Sequence, residues 1–250
     1  MTGSDATASP DRPCEWPAGW HVSVVEETGS TNADLLAEAD RGAPDRTVLA
    51  ARHQTAGRGR LDRRWEAPPG ANLLVSLLVR DVPDHLHELT QRVALAAREA
   101  AWAVAGVRPE LKWPNDLLLD DRKLAGVLAQ SGGRSGLDGR PTHVVVGIGI
   151  NVRWAPPDAA RLGEDVDPID VLVEMLAAFD GLPIDVWQSY RNALATLGQQ
   201  VRVERPDGVL EGRALDVERD GRLIVLDDCA ITHRIDTGDV IHLRPRRSLP

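Results

Sequence analysis

The chain has 250 residues, 38 acidic against 29 basic, giving a formal net charge of −9. That length suits one large domain plus a small one, and the acidic balance argues against a nucleic-acid-binding surface. Two cysteines without metal-type spacing, Cys14 and Cys229, point to a reduced cytoplasmic setting, and the absence of any apolar run near the roughly 18–20 residues of a membrane span excludes a helical membrane protein.

In chain order, residues 1–20 are polar, small and proline-containing, so a disordered tail is expected there. A strand over Trp20 to Val25 leads to Thr28-Gly29-Ser30-Thr31-Asn32, where Ser30 or Thr31 suits the N-cap of a helix over Ala33 to Asp40. Thr47 to Ala51 and Asn72 to Val79 are β-rich. From Pro83 to Ala105 the apolar positions Leu89, Val93, Ala96, Ala97, Ala100 and Val104 keep a helical period. The run Lys112 to Gly126 predicts a strand end, a Pro114-Asn115-Asp116 turn, a hydrophobic strand, a charged two-residue corner and a further strand. Ser131 to Pro141 reads as a glycine-rich turn, and His143 to Val152 as a buried strand. Helices are expected over Asp167 to Phe179 and Asp185 to Leu197, stopping at Gly198. Gln199 to Arg244 then shows short β runs with turns at Pro206-Asp207-Gly208 and Asp220-Gly221. The predicted fold class is α+β: a tail over 1–20, a mixed-sheet domain over 21–197 and a small β-barrel over 198–250.

Four segments carry chemistry. Lys112-Trp113-Pro114-Asn115-Asp116 and Lys123-Leu124-Ala125-Gly126 put both signs of charge at the ends of an apolar hairpin, which suits a phosphate or carboxylate held against a sheet. Gly57-Arg58-Gly59-Arg60, continued by Arg63 and Arg64, combines backbone freedom with guanidinium forks, and its glycines predict a flexible loop that orders around ligand. Its spacing is neither that of a P-loop nor that of a dinucleotide fingerprint. Ser30-Thr31-Asn32 and Val146-Gly147-Ile148-Gly149-Ile150-Asn151 complete the set.

In this order the four segments resemble the S-T-N, G-R-G-R, K-W-P-N-D … K-L-A-G and G-I-G-I-N motifs of biotin protein ligases, from about Val24 to the C-terminus. The resemblance implies a catalytic domain of the biotin/lipoate ligase type followed by an SH3-like domain, and a form without the N-terminal DNA-binding domain of some relatives. It implies ATP with Mg²⁺ and biotin as substrates and no tightly bound cofactor. The expected partner is the biotin carboxyl carrier domain of an acyl-CoA carboxylase, with no DNA and no membrane, the protein being a monomer or weak homodimer in the cytoplasm.

Residue by residue, the resemblance places Lys123, Arg60 and Asp116 in catalysis, Asp116 either coordinating Mg²⁺ or orienting the incoming lysine amine. Ser30, Thr31, Asn32, Gln54, Arg58, Gly59, Arg60, Lys123, Gly126 and Gly149 fall at biotin, and Arg58, Arg60, Lys112 and Asn151 at ATP, with no metal ligand assigned. Each has a plainer reading as well. The triplet at 30–32 works as a helix cap, the arginines as a solvated loop, Lys123 as a surface corner, and the glycines as strand positions allowing close packing. Asn151 reads equally as a strand terminator or as a nucleotide contact, and Asn115 as bonding its own turn. Trp65 and Trp113 are read as packing residues. Leu61 and Asp62 depart from the basic and small residues common at those places in the family. Lipoate-type ligation and non-enzymatic biotin sensing are the competing functions.

Overall fold

A computed structural model describes residues 15–61, 63–133, 140–205, 208–236 and 238–243. Cys14, Asp62, the Pro206-Asp207 turn, most of the tail and much of the glycine-rich turn lie outside the described residues.

Seven strands form a mixed sheet in the order β1-β2-β3-β7-β6-β5-β4. They are β1 (His21–Thr28), β2 (Thr47–Gln54), β3 (Leu73–Val79), β4 (Glu110–Lys112), β5 (Asp116–Leu119), β6 (Arg122–Gly132) and β7 (His143–Ile150). Only β1 and β2 pair in parallel, joined by α1 (Thr31–Asp40); the other neighbours are antiparallel. The strand alternation assigns the two faces. Val48, Ala50, Val144, Val146 and Ile148 enter the main core, against α2 (His87–Ala105) and α3 (Pro168–Gly181). Leu49, Leu78 and Val145 instead join Leu35 and Ala39 of α1 in a second, smaller core. By the same period Ser76, Gly126, Gly147 and Gly149 fall on the α1 face, next to residues committed to the main core.

The corner between β5 and β6 is Asp120-Asp121, with φ of 52° and 59°. Two consecutive left-handed residues are the requirement of a two-residue hairpin turn matched to strand twist. α3 begins where predicted, the Asp167 side chain accepting from the Ile169 N–H at 2.8 Å.

The helix expected over Asp185 to Leu197 is much shorter: α4 is Trp187–Ala193. The residues after it are drawn into the sheet instead. Leu194 is extended, Ala195 N–H donates to the Leu111 carbonyl at 2.8 Å, and the Trp113 N–H donates to Thr196 Oγ1 at 3.0 Å. β4 would otherwise leave these polar groups unpaired next to a buried Trp113. Period alone cannot report that demand.

Five further strands, β8 (Gln200–Arg205), β9 (Gly208–Val217), β10 (Leu223–Leu226), β11 (Thr232–Ile235) and β12 (Asp239–His242), make an antiparallel sheet in the order β11-β10-β9-β8-β12. It docks on the first sheet through the hairpin at Gly221. Trp113, 2% exposed, donates its indole N–H to the Gly221 carbonyl at 2.8 Å. The packing role read for Trp113 is what the structure shows.

Candidate active site

A cavity of about 350 Å³ opens on the α1 face, between β2, the arginine loop, β6 and β7. It gathers Ser30, Thr31, Asn32, Gln54, Arg58, Gly59, Arg60, Asp116, Lys123, Gly126, Gly149 and Asn151 into one wall. Lys112 stands apart. It lines an adjoining cavity of about 120 Å³ that shares Arg63, Asn115, Asp116 and Asp239 with the larger one. Burial holds the Lys112 ammonium below the usual lysine range, with Asp116 partly opposing the shift.

One end of the large cavity is a buried amide and hydroxyl network. Ser30 occupies the N-cap position of α1, but its side chain makes no capping hydrogen bond. Thr31 donates from its backbone N–H and from Oγ1 to Gln54 Oε1, at 2.8 and 3.0 Å. Asn32 Nδ2 donates to the Leu128 carbonyl at 3.1 Å and to Gln130 Oε1 at 2.8 Å. Ser76 Oγ lies 2.7 Å from Thr31 Oγ1 and 2.6 Å from Asn32 Oδ1. The amide oxygen can only accept, so the Ser76 proton belongs there and the Thr31 proton is free for Gln54. Gly147 completes the fit, because a Cβ there would overlap Asn32 Oδ1. Ser76 and Gln130 were not singled out from the sequence, and Gly147 appeared only within its motif, without a role of its own. For Ser76 the one available signal was a serine in the middle of the apolar run Leu73–Val79.

The other end is cationic. Lys123 Nζ sits 2.7 Å from Asp116 Oδ1 and 5.7 Å from the centre of the Trp65 ring. Arg60 donates to Asn115 Oδ1 at 3.1 Å and to the Gly238 carbonyl at 3.3 Å. Burial lowers the Arg60 pKa from its ordinary value, Asp239 and Asp116 opposing it. Asn115 therefore does more than close its own turn: Nδ2 donates across to the Val127 carbonyl at 2.7 Å while Oδ1 receives Arg60. Asn151, 3% exposed, spends its side chain inside the protein. Its Nδ2 donates to the carbonyls of Lys123 and Ala160, at 3.3 and 3.0 Å, and its Oδ1 accepts from Asn72. It thereby fixes the backbone of Lys123.

The arginine loop has more structure than its glycines suggested. Arg58 bridges Arg64 in antiparallel fashion, Gly59 N–H donates to the Arg63 carbonyl at 2.7 Å, and Trp65 N–H to the Gly57 carbonyl at 3.1 Å. Gly57 is sterically required, since a Cβ would overlap the Trp65 carbonyl oxygen; one at Gly59 would make only ordinary contact, 3.5 Å from the Arg63 carbonyl oxygen. Trp65, read as a packing residue, is a cavity wall. Its indole covers Gly149, where an added Cβ would come within 2.6 Å of Nε1, and approaches Gly126. Among the described residues no group of three or more His, Cys, Asp or Glu is placed to hold a metal ion. Cys229 is exposed and free, and no helix of the described residues is long and apolar enough to cross a membrane.

Residues 24–151 match the model of the biotin/lipoate A/B protein ligase family, and residues 196–243 that of the biotin protein ligase C-terminal domain. The chain is 39% identical to a biotin--[acetyl-CoA-carboxylase] ligase of Mycobacterium tuberculosis, covering 91% of each chain. It is 30% identical to a bifunctional ligase/repressor of Bacillus subtilis, over 83% of this chain and 70% of that one. The structure of a biotin protein ligase from Aquifex aeolicus in complex with biotin and ATP superposes with a TM-score of 0.74 at 25% identity, covering 90% of this chain and 99% of that one. The α+β architecture, a mixed-sheet catalytic domain with a small SH3-like domain after it, is that of these relatives. The chain belongs to the biotin/lipoate A/B protein ligase family, and its C-terminal sheet matches the biotin protein ligase C-terminal domain.

Proposed function

We propose that the protein is a biotin protein ligase that joins biotin to a specific lysine of a carboxylase carrier domain in two steps, at the expense of ATP. The carrying observation is that one cavity has a buried amide and hydroxyl network at one end and a lysine with an arginine loop at the other. The first end suits a ureido ring, which offers one carbonyl acceptor and two N–H donors. The second suits a carboxylate meeting a phosphate. The M. tuberculosis and A. aeolicus relatives support the same reading.

In the first step a carboxylate oxygen of biotin attacks the α-phosphorus of MgATP, the bond to the β,γ-phosphates breaks, and pyrophosphate leaves. In the second, a neutral lysine amine attacks the acyl carbon of biotinyl-5′-AMP, AMP departs with the electron pair, and the amine loses a proton. Activation is needed because a carboxylate is a poor acyl donor and AMP is a far better leaving group. The protein's share is placement and charge stabilisation. Lys123 and Arg60 neutralise charge accumulating between carboxylate and α-phosphate, and Asp116 orients Lys123 and the incoming amine. Gln54, Ser30, Thr31 and Asn32 bind biotin; Gly126 and Gly149 let the strands approach its rings. Arg58 assists at the phosphates, while Lys112 supplies positive potential from the adjoining cavity. Asn151 acts through the Lys123 backbone and lies at the nucleotide. Residues 21–197 carry this chemistry and 198–250 form the C-terminal domain. The protein works in the cytoplasm as a monomer or weak homodimer, without DNA.

Steady-state pyrophosphate release, dependent on biotin and not on lipoate, tests the reading. Release driven by lipoate instead, or biotin binding without release, would replace it with one of the two competing functions.

A further inference from the structure

We propose that Asp239 of the C-terminal sheet is a positioning residue for the arginine loop, gripping Arg63 so that Arg60 is aimed into the cavity. The purpose of Arg60 rests on the ligase reading above; the grip itself does not. The Arg63 guanidinium forms an ion pair with Asp239, and the next residue inward, Gly238, offers its carbonyl to Arg60 Nη2 at 3.3 Å. These two contacts hold both legs of the loop tip, which turns through Leu61 at φ 53°.

The anchor belongs to a paired strand, whereas the loop tip lies outside the sheet. Gly238 has φ 154°, and an added Cβ would lie 2.8 Å from Val203 Cγ1, so the start of β12 is pressed onto β8. Asp239 then pairs with Glu204 in the β12–β8 register, its side chain 18% exposed. Arg63 is 66% exposed, so the pair contributes little to global stability. Its location gives it consequence. Asp239 lines both cavities and is among the acids that offset the burial of Arg60. A shift of about 1 Å at such a loop is enough to misplace a group acting on a phosphate.

The test is amide hydrogen exchange on the full-length protein without substrates. The N–H groups of Gly59 and Trp65 bond within the loop and report its opening. In Asp239→Asn and in Arg63→Gln these two should exchange roughly fivefold faster, the size expected of a half-exposed ion pair. Amides of β2, β7 and β8 should be unchanged. Arg63 is exposed, so Arg63→Gln keeps the proposal testable should Asp239→Asn fold poorly. Asp239→Glu should recover most of the protection, and the charge exchange Arg63→Asp with Asp239→Arg should recover part of it. In the enzyme assay, Asp239→Asn should release biotinyl-adenylate several-fold faster while KM for biotin holds, because the amide end of the cavity is untouched. Loop amides exchanging at the wild-type rate in both variants would overturn the proposal. So would acceleration spread equally over β8 and β12, the mark of a purely structural pair. A wild-type protein releasing no pyrophosphate with biotin would sink the ligase reading and leave the exchange result standing.

Discussion

The two ends of the cavity are built on different principles. At the amide end Thr31, Asn32, Gln54, Ser76 and Gln130 sit on a helix start and three strands, are cross-linked to one another, and lie against Gly147 of a fourth with no room to spare. At the cationic end Arg58, Arg60, Arg63 and Arg64 sit on a loop held by three backbone contacts, one amide and the C-terminal sheet. A neutral ring is recognised by donors and acceptors that must already be in place, since each buried polar group left unpaired costs about 1–3 kcal/mol. Charge acts over longer range and tolerates adjustment. On the proposed ligase reading, recognition would be fixed in the core, while the groups that meet changing charge would be mounted on a loop and a strand edge around it.

The sharpest way to break this comparison is Lys123→Ala. If Lys123 neutralises charge that grows only during adenylation, the rate should fall roughly 100- to 1,000-fold with little change in biotin affinity. The side chain is 41% exposed and stands near the start of β6, outside both apolar cores, so the melting temperature should hold. Near-normal pyrophosphate release from the folded variant would remove Lys123 from the chemistry.

Arg60→Gly probes the loop. It deletes both guanidinium contacts and adds backbone freedom, so the reactive anhydride should escape about 10- to 100-fold faster, on the scale of hydrogen bonds to charged groups. Adenylation continues at a lower rate because Lys123 remains. Mass spectrometry of a bystander protein incubated with ATP, biotin and the variant should show scattered lysine biotinylation. Labelling at the wild-type level, with adenylate still made and held, would shift the retaining role to Arg58.

A pair of glycine substitutions sets the two ends side by side. Gly147→Ala drives a methyl into Asn32, which is held by Leu128, Gln130 and Ser76 and cannot yield. The cost should be roughly 1–3 kcal/mol of stability, with a raised KM for biotin. Gly149→Ala meets the Trp65 ring, which is carried by the loop and not by the sheet. Its stability cost should be smaller. Equal losses by chemical denaturation would mean that the loop is as rigid as the core.

The same contrast explains what the sequence disclosed. Strand period and turn chemistry marked all seven strands of the first sheet and a charged two-residue corner between β5 and β6, because those signals are local. Motif residues converged on one cavity because β6 and β7 are neighbours in the sheet and the start of α1 and the loop after β2 lie over the same face. Lys112 fell outside it: β4 pairs it with Asp116, and it lines the adjoining cavity. The shortening of α4, the Asn115–Arg60 bond and the reach of Gly238 and Asp239 to the loop all join segments far apart in the chain. No window of residues reports such pairs. Ser76 lies between the two cases: its position in an apolar strand was visible, its partners were not.

The smallest expected effect concerns Leu61, which holds φ at 53° with its side chain 64% exposed. A leucine in the left-handed region costs about 1–2 kcal/mol and here gains no burial in exchange. Asparagine accepts that conformation, and unlike glycine it adds little freedom to the unfolded chain. Leu61→Asn should therefore relax the loop tip without loosening it, stabilising the closed hairpin by about 0.5–1 kcal/mol. Since the loop opens locally, the change should appear as slower exchange at the Gly59 and Trp65 amides, while the global melting temperature barely moves. Faster exchange at these amides would show that the leucine side chain itself, not the two anchored arginines, holds the tip in place.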